Sequence, residues 1–356
     1  MLEYRQLGRS GLRVSKLCLG TMSGFGKANE KEAAAIVYEA IDSGVNFVDT
    51  ADVYGDSEES VGKILADGNR REKVVLATKF GFYMGKGAND YGAGRAHIIN
   101  ACEASLRKLR TDYIDLYILH VVDPNPPMEE TLRALDLLVK QGKVRYIGTS
   151  KHPVLLLMEA LAISEREGLE RFVSEQPPYN LLDRTPEHDL IPMALRHGVA
   201  ITPYVPLARG ILAGAYTLGE PGPEGHRFKG KKPGDNNIFT VEAVKAVDKL
   251  RPLASDKGVT VAEFSLAWLM NQPGVTAPVL GAWKIEYLRS ALKACDVKFT
   301  EEELAKVDEI VPPGTCVSDF YATNVHRPLM GRYAAGTPGT GAYIPAQETV
   351  QPKPSE

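Results

Sequence analysis

Four side chains of this 356-residue chain would, if brought together, run acid–base chemistry at a carbonyl oxygen: Asp49, Tyr54, Lys79 and His120. A phenol has an ordinary pKa of about 10, so Tyr54 needs help to give up its proton near neutrality. An ammonium beside it, from Lys79, is expected to lower that pKa. A buried lysine needs a counter-charge, and Asp49 supplies one. His120 would orient and polarise the oxygen that receives the proton. Each residue taken singly is more often a structural polar group; the combination carries the reading.

These residues close short apolar runs. Such runs occupy 16–21, 46–51, 74–79, 114–120, 144–150, 172–176, 199–206 and 277–282, and Asp49, Lys79 and His120 lie at or beside the ends of three of them. The runs are rich in Val and Ile, as parallel strands covered on both faces are. Between them, apolar residues recur at spacings of three and four over 31–43, 57–67, 96–109, 128–141, 154–167, 187–197, 240–271 and 284–294, which predicts helices. Strand and helix alternating eight times predict an α/β fold, a (β/α)8 TIM barrel, preceded by a hairpin whose turn is Gly8-Arg9-Ser10-Gly11. A GxGxxG fingerprint, which an open dinucleotide-binding sheet would show after its first strand, is missing. Barrel active sites sit where the strands end, so the polar strand ends would share one rim.

The rest of the sequence bounds the function. Net charge is −3, apolar residues make up 44% and charged residues 24%, so neither nucleic acid nor a membrane surface is an expected partner. The four cysteines form no CxxC pair, which argues against a zinc site or a disulfide framework and fits a reducing, cytoplasmic compartment. No metal is expected. Long segments at 80–95 and 207–239 are candidates for substrate loops, with Phe82, Tyr83 and Tyr91 as pocket walls beside Tyr54 and His120. Phe320 and Tyr321 are further wall candidates. His152, His188 and His197 are expected on the surface or on helices, and the basic run 227–232 on a solvated loop. The barrel is placed at 1–311; the remainder, 312–356, is expected to be a partly disordered tail.

Several stretches together resemble the aldo-keto reductase superfamily. FVDTADVYG (47–55) is similar to its Asp-Thr-Ala-x-x-Tyr-Gly signature, ATKFG (77–81) to its lysine motif and ILH (118–120) to its histidine motif. GTS (148–150), SEQPPYNLLDR (174–184), YVPLARGILAG (204–214) and LGA (280–282) resemble its cofactor-binding segments, and the likeness spans roughly 3–311.

The resemblance implies an NADP(H)-dependent reductase of a small aldehyde or ketone. Tyr54 would donate the proton, Lys79 would tune it, Asp49 would pair with Lys79, and His120 would orient the carbonyl. Ser150, Lys151 and Gln176 would hold the nicotinamide carboxamide, and Tyr204 would stack on the ring. Gly20, Thr21 and Met22, with Asp49, would line its other side. Leu207, Arg209 and Gly210 would contact the pyrophosphate, and Gly281, Lys284, Tyr287 and Arg289 the adenosine end. The chain departs from the family pattern at Lys151, where Asn is common, at Val205, where Ser is common, and at Trp283, Tyr287 and Ala291. Lys151 resembles the potassium-channel β-subunit branch, so a cofactor-binding regulatory subunit is an alternative. A non-redox catalyst of dehydration or cyclisation on the same scaffold is another.

Overall fold

The structure, a computed structural model, describes residues 2–326. The chain opens with the expected antiparallel hairpin, β1 (Tyr4–Gln6) and β2 (Arg13–Ser15). Eight parallel strands follow: β3 (Cys18–Gly20), β4 (Phe47–Asp49), β5 (Val75–Phe80), β6 (Ile114–Leu119), β7 (Val144–Ser150), β8 (Phe172–Gln176), β9 (Ala200–Ile201) and β10 (Val279–Gly281). Their ladder runs β10-β3-β4-β5-β6-β7-β8-β9, in sequence order apart from β10. A parallel bridge between Ile201 and Val275 joins the two ends, and Thr276 N donates to Ile201 O at 2.8 Å. The sheet therefore closes on itself as a barrel.

Strand periodicity explains what fills it. Side chains two apart share a face. Phe47, Val75, Ala77, Leu116, Ile118, Cys18, Ala200, Ala277 and Val279 form one apolar cluster inside the barrel. Leu7 and Val14 of the hairpin belong to the same cluster and plug its floor. The outward residues, such as Leu76, Phe80, Tyr117 and Leu119, pack against the helices in a second, larger cluster.

The helices are α1 (Glu30–Asp42), α2 (Ser57–Ala66), α3 (Arg95–Leu109), α4 (Met128–Lys140), α5 (Val154–Glu167), α6 (Leu190–His197), α7 (Val241–Asp256), α8 (Val261–Met270), α9 (Ile285–Ala294) and α10 (Glu301–Ile310). Two expectations are corrected. The single helix expected over 240–271 is two, because Gly258 (φ +72°) turns the chain and Thr260 with Glu263 caps a new start. The strand expected over 199–206 shortens to two residues, since Pro203 and Pro206 offer no backbone N–H to a ladder.

Residues 312–326 pack on the barrel. Phe320 is fully buried, Tyr321 N donates to Asp183 Oδ2 at 2.6 Å and Ser318 Oγ to Ile238 O at 2.5 Å. The remainder of the expected tail, 327–356, lies outside the described residues. Among the described residues no helix is long and apolar enough to cross a membrane, and no cluster of His, Cys, Asp or Glu could hold a metal ion.

Candidate active site

The barrel interior changes character two residues beyond its last apolar layer. Asp49 follows Phe47 on β4, Lys79 follows Ala77 on β5, and His120 follows Ile118 just past β6. The alternation that aims Phe47, Ala77 and Ile118 inward aims these three inward too, at the C-terminal rim. Tyr54 arrives from the β4–α2 loop. Tyr54 N donates to Ala51 O at 3.1 Å and Ser57 N to Tyr54 O at 3.1 Å, two tight turns that fold the phenol back over the rim.

Lys79 Nζ is the hub. It donates to Asp49 Oδ1 at 2.5 Å, to Thr50 O at 2.8 Å and to Tyr54 Oη at 3.5 Å. Asp49 Oδ2 accepts from Gln176 Nε2 at 3.0 Å, which ties β4 to β8 across the barrel. The His120 and Tyr54 rings meet edge to face with centroids 5.8 Å apart, and Phe82 meets His120 in the same way at 4.8 Å. The four residues expected to act together are therefore brought together.

The electrostatics correct one expectation. Tyr54 is not made acidic. Burial pushes its phenol above the ordinary value; the Lys79 charge pulls the other way without overcoming it, and Asp49 adds to the rise. After burial the Lys79 charge is the strongest influence on the phenol, and the Asp49 carboxylate beside it offsets part of that pull. Burial disfavours the charged form of Lys79 as well, but Asp49, with Tyr54, more than offsets it, and the lysine keeps its proton more tightly than usual. Burial, with the charges of Lys151 and Lys79, holds His120 well below the usual histidine range. At neutral pH the site is a phenol, a neutral imidazole and a lysinium–aspartate pair.

The expected cofactor residues lie along the same rim. Ser150 Oγ donates to Gln176 O at 2.8 Å, so these two sit side by side. Lys151 takes a left-handed backbone (φ +62°), and its ammonium lies 5.2 Å from the Phe82 ring centre and 5.7 Å from that of Tyr204. Tyr204 bridges Pro178 beyond the end of β9. Thr21 Oγ1 donates to Asp49 O at 3.0 Å; Met22 beside it is 58% exposed. Val205, Ala208 and Arg209 have φ near +50°, and Gly210 has +91°.

From the last residue of β10 onward, Gly281, Lys284, Tyr287 and Arg289 are exposed. Trp283 and Tyr287 stand edge to face at 5.4 Å, with the Lys284 ammonium 4.7 Å from the Trp283 ring. Arg289 is held by Glu39 through two hydrogen bonds, Nε to Oε1 at 2.6 Å and Nη2 to Oε2 at 2.8 Å. Of the expected pocket walls, Phe82 reaches His120. Tyr83 and Tyr91 stack on each other at 4.4 Å and brace their loop.

The model of the Aldo/keto reductase family matches residues 16–312. The chain belongs to the aldo-keto reductase family. Relatives of this aldo-keto reductase differ in what they are named for. A probable voltage-gated potassium channel subunit beta of Oryza sativa subsp. japonica is 36% identical over 87% of this chain and 97% of its own. An uncharacterized oxidoreductase of Bacillus subtilis (strain 168) is 36% identical over 90% of this chain and 100% of its own. The L-glyceraldehyde 3-phosphate reductase of Escherichia coli (strain K12) is 31% identical over 88% of this chain and 93% of its own.

In this aldo-keto reductase the reading from residue types missed the groups that hold the rim together. Ser57 Oγ lies 2.7 Å from Thr21 Oγ1 and 3.0 Å from Thr50 Oγ1, which locks the ends of β3 and β4 to the start of α2. Glu58, fully buried, accepts from Thr78 Oγ1 at 2.7 Å and Lys108 Nζ at 3.2 Å. The polar pair Ser57-Glu58 opening an apolar helix was the available signal. His152, expected on the surface or on a helix, is 1% exposed in the β7–α5 turn, with Nδ1 2.9 Å from Ser150 O.

Proposed function

We propose that this protein reduces an aldehyde or ketone to the alcohol, with Tyr54 as proton donor and NADP(H) as cofactor. The observation that carries the proposal is the placement of Tyr54 Oη, 3.5 Å from the Lys79 ammonium and beside the neutral His120 at the C-terminal rim of the barrel. A bound reduced nicotinamide would supply the hydride to the carbonyl carbon. Tyr54 Oη gives its proton to the carbonyl oxygen, and the negative charge left on the phenolate is stabilised by Lys79. His120, uncharged, orients the oxygen without competing for the proton. Asp49 holds Lys79 charged and fixed.

The residues present fit a dinucleotide. Ser150 and Gln176 carry amide-binding groups side by side, and Tyr204 offers a half-buried ring. Val205, Ala208, Arg209 and Gly210, all with positive φ, turn the backbone sharply in the loop that the family resemblance assigns to the pyrophosphate. The positive charges of Arg209 and Arg227 are close enough to oppose each other, which favours an anion between them. Trp283 and Tyr287 present aromatic surface for adenine, and Lys284 a charge for a 2′-phosphate.

Consumption of NADPH with a panel of aliphatic and aromatic carbonyls tests this, comparing wild type with Tyr54→Phe. Loss of the proton donor is expected to slow reduction about 10²- to 10⁴-fold, with cofactor binding retained. Equal rates in the two proteins would overturn the assignment. The relatives named as channel subunits support a second reading, a cofactor-binding regulatory subunit. A stable protein partner, together with negligible turnover across the panel, would favour it.

A further inference from the structure

Three hydroxyls, those of Thr21, Thr50 and Ser57, meet where β3, β4 and α2 come together, and all three residues are fully buried. Each hydroxyl has one proton to give. Thr21 Oγ1 gives its proton to Asp49 O at 3.0 Å. Ser57 Oγ, 2.7 Å from Thr21 Oγ1 and 3.0 Å from Thr21 O, therefore donates toward Thr21. The Ser57 oxygen in turn accepts from Thr50 Oγ1 at 3.0 Å. The three form one directed chain, from Thr50 through Ser57 and Thr21 to the Asp49 carbonyl. Because it ends on a carbonyl, it orders the backbone and carries no proton to the pocket.

The chain grips the segment on which the ammonium depends. Lys79 Nζ has two close acceptors, Asp49 Oδ1 at 2.5 Å and Thr50 O at 2.8 Å, and they belong to consecutive residues. Thr21 N also donates to Asp49 O at 2.9 Å, and Thr50 N donates to Ala77 O at 2.9 Å. Ser57 is tied to the tyrosine as well: its backbone N–H donates to Tyr54 O at 3.1 Å. One residue thus joins the loop that carries the phenol to the segment that holds the ammonium. The contact between them, Lys79 Nζ to Tyr54 Oη, is 3.5 Å, the long limit of a hydrogen bond, so a small slip of the loop breaks it. We infer that Ser57 is a positioning residue for the proton transfer, its hydroxyl and backbone N–H together setting the distance between the phenol and the ammonium. This rests on the reading of the site as a carbonyl reductase. Ser57 itself touches none of the reacting atoms; it acts through Tyr54 and Lys79.

Ser57→Ala removes the middle of the chain. With turnover counted per NADPH-binding site, its kcat is expected to fall about 10- to 100-fold, while KM and the NADPH dissociation constant stay within about twofold. The solvent deuterium isotope effect on kcat should rise, because the misplaced proton donor now limits the rate; loss of folded protein alone would leave it unchanged. Ser57→Thr keeps the hydroxyl and should recover most of kcat. Thr50→Val keeps the shape and removes the first hydroxyl of the chain. It is expected to show the same signature in weaker form, and it stands in if Ser57→Ala does not fold. Crystal structures of wild type and variant add a readout independent of turnover, with the Tyr54 Oη–Lys79 Nζ separation longer in the variant. A kcat within about twofold of wild type overturns the inference, as does a loss confined to KM or to NADPH binding. So does an unchanged separation. Wild type inert toward every carbonyl offered would remove the reductase reading alone; the crystal structures would still decide whether Ser57 sets the distance.

Discussion

Lys79 and Asp49 pair at 2.5 Å with side chains 0% and 3% exposed, directly beneath the hydroxyl of Tyr54. Removing one member of a pair so far from water leaves an uncompensated charge, which costs about 3–5 kcal/mol. Asp49→Ala is therefore expected to lower unfolding free energy by about that amount in urea titration. The double change Asp49→Leu with Lys79→Met, which buries no charge, should recover most of the stability and none of the reduction. A double variant no more stable than Asp49→Ala would contradict this account of the pair.

The pH profile follows from the direction of the shifts at Tyr54 and His120. Reduction needs the phenol protonated, and burial raises its pKa, so kcat/KM for the reduction should stay level through neutrality and fall only above about pH 10. His120 is held well below its ordinary range, so it should add no step between pH 6 and 9. Initial rates from about pH 6 to about pH 11 check both statements. A titration near pH 7 that disappears in His120→Asn would show a charged imidazole and contradict the assignment.

Asp52 gives a stability signature apart from catalysis. It is 4% exposed, and burial beside Glu58 pushes its pKa up to about 8. The folded pKa is raised above the unfolded one. The protonated acid is therefore accommodated fully at low pH, and stability is lost as pH rises from about 4 to about 8. Asp52→Asn, neutral at every pH, should raise Tm at pH 8 by about 2–4 °C and have little effect near pH 4. Thermal melts at the two pH values measure the difference; an equal shift at both would exclude the ionisation as its cause.

Arg289 sets up the fourth expectation. Its guanidinium is bound twice by Glu39, so a 2′-phosphate would compete with that carboxylate. Glu39→Ala frees the arginine and should increase the preference for NADPH over NADH several-fold, measured as a ratio of dissociation constants. A ratio that does not move would place Arg289 outside the cofactor site.

The proposed catalytic quartet was legible in the chain because its signals are local. A charged or titratable residue two positions past an inward apolar residue can only face the barrel mouth, as Asp49 after Phe47 and Lys79 after Ala77 do. The protonation state of Tyr54 was not legible, since it depends on how much water the folded rim excludes and on Asp49 offsetting part of the Lys79 charge. The break between α7 and α8 was missed because apolar spacing runs on through 240–271, although Gly258 and the Thr260–Glu263 cap mark it. Burial of His152 was hidden for a similar reason: it depends on the fold of the β7–α5 turn, where its Nδ1 lies 2.9 Å from Ser150 O.

The two-residue length of β9 has a mechanical consequence. On that side the wall is stitched by a few hydrogen bonds, whereas β5, β6 and β7 hold the opposite side over six or seven residues each. The stretch from Val205 to Gly214 follows this thin seam and is anchored by Ala208, Ile211 and Leu212, all buried in the outer core. Hydrogen exchange should find the amides at the seam quickest to open and those of β5 and β6 slowest.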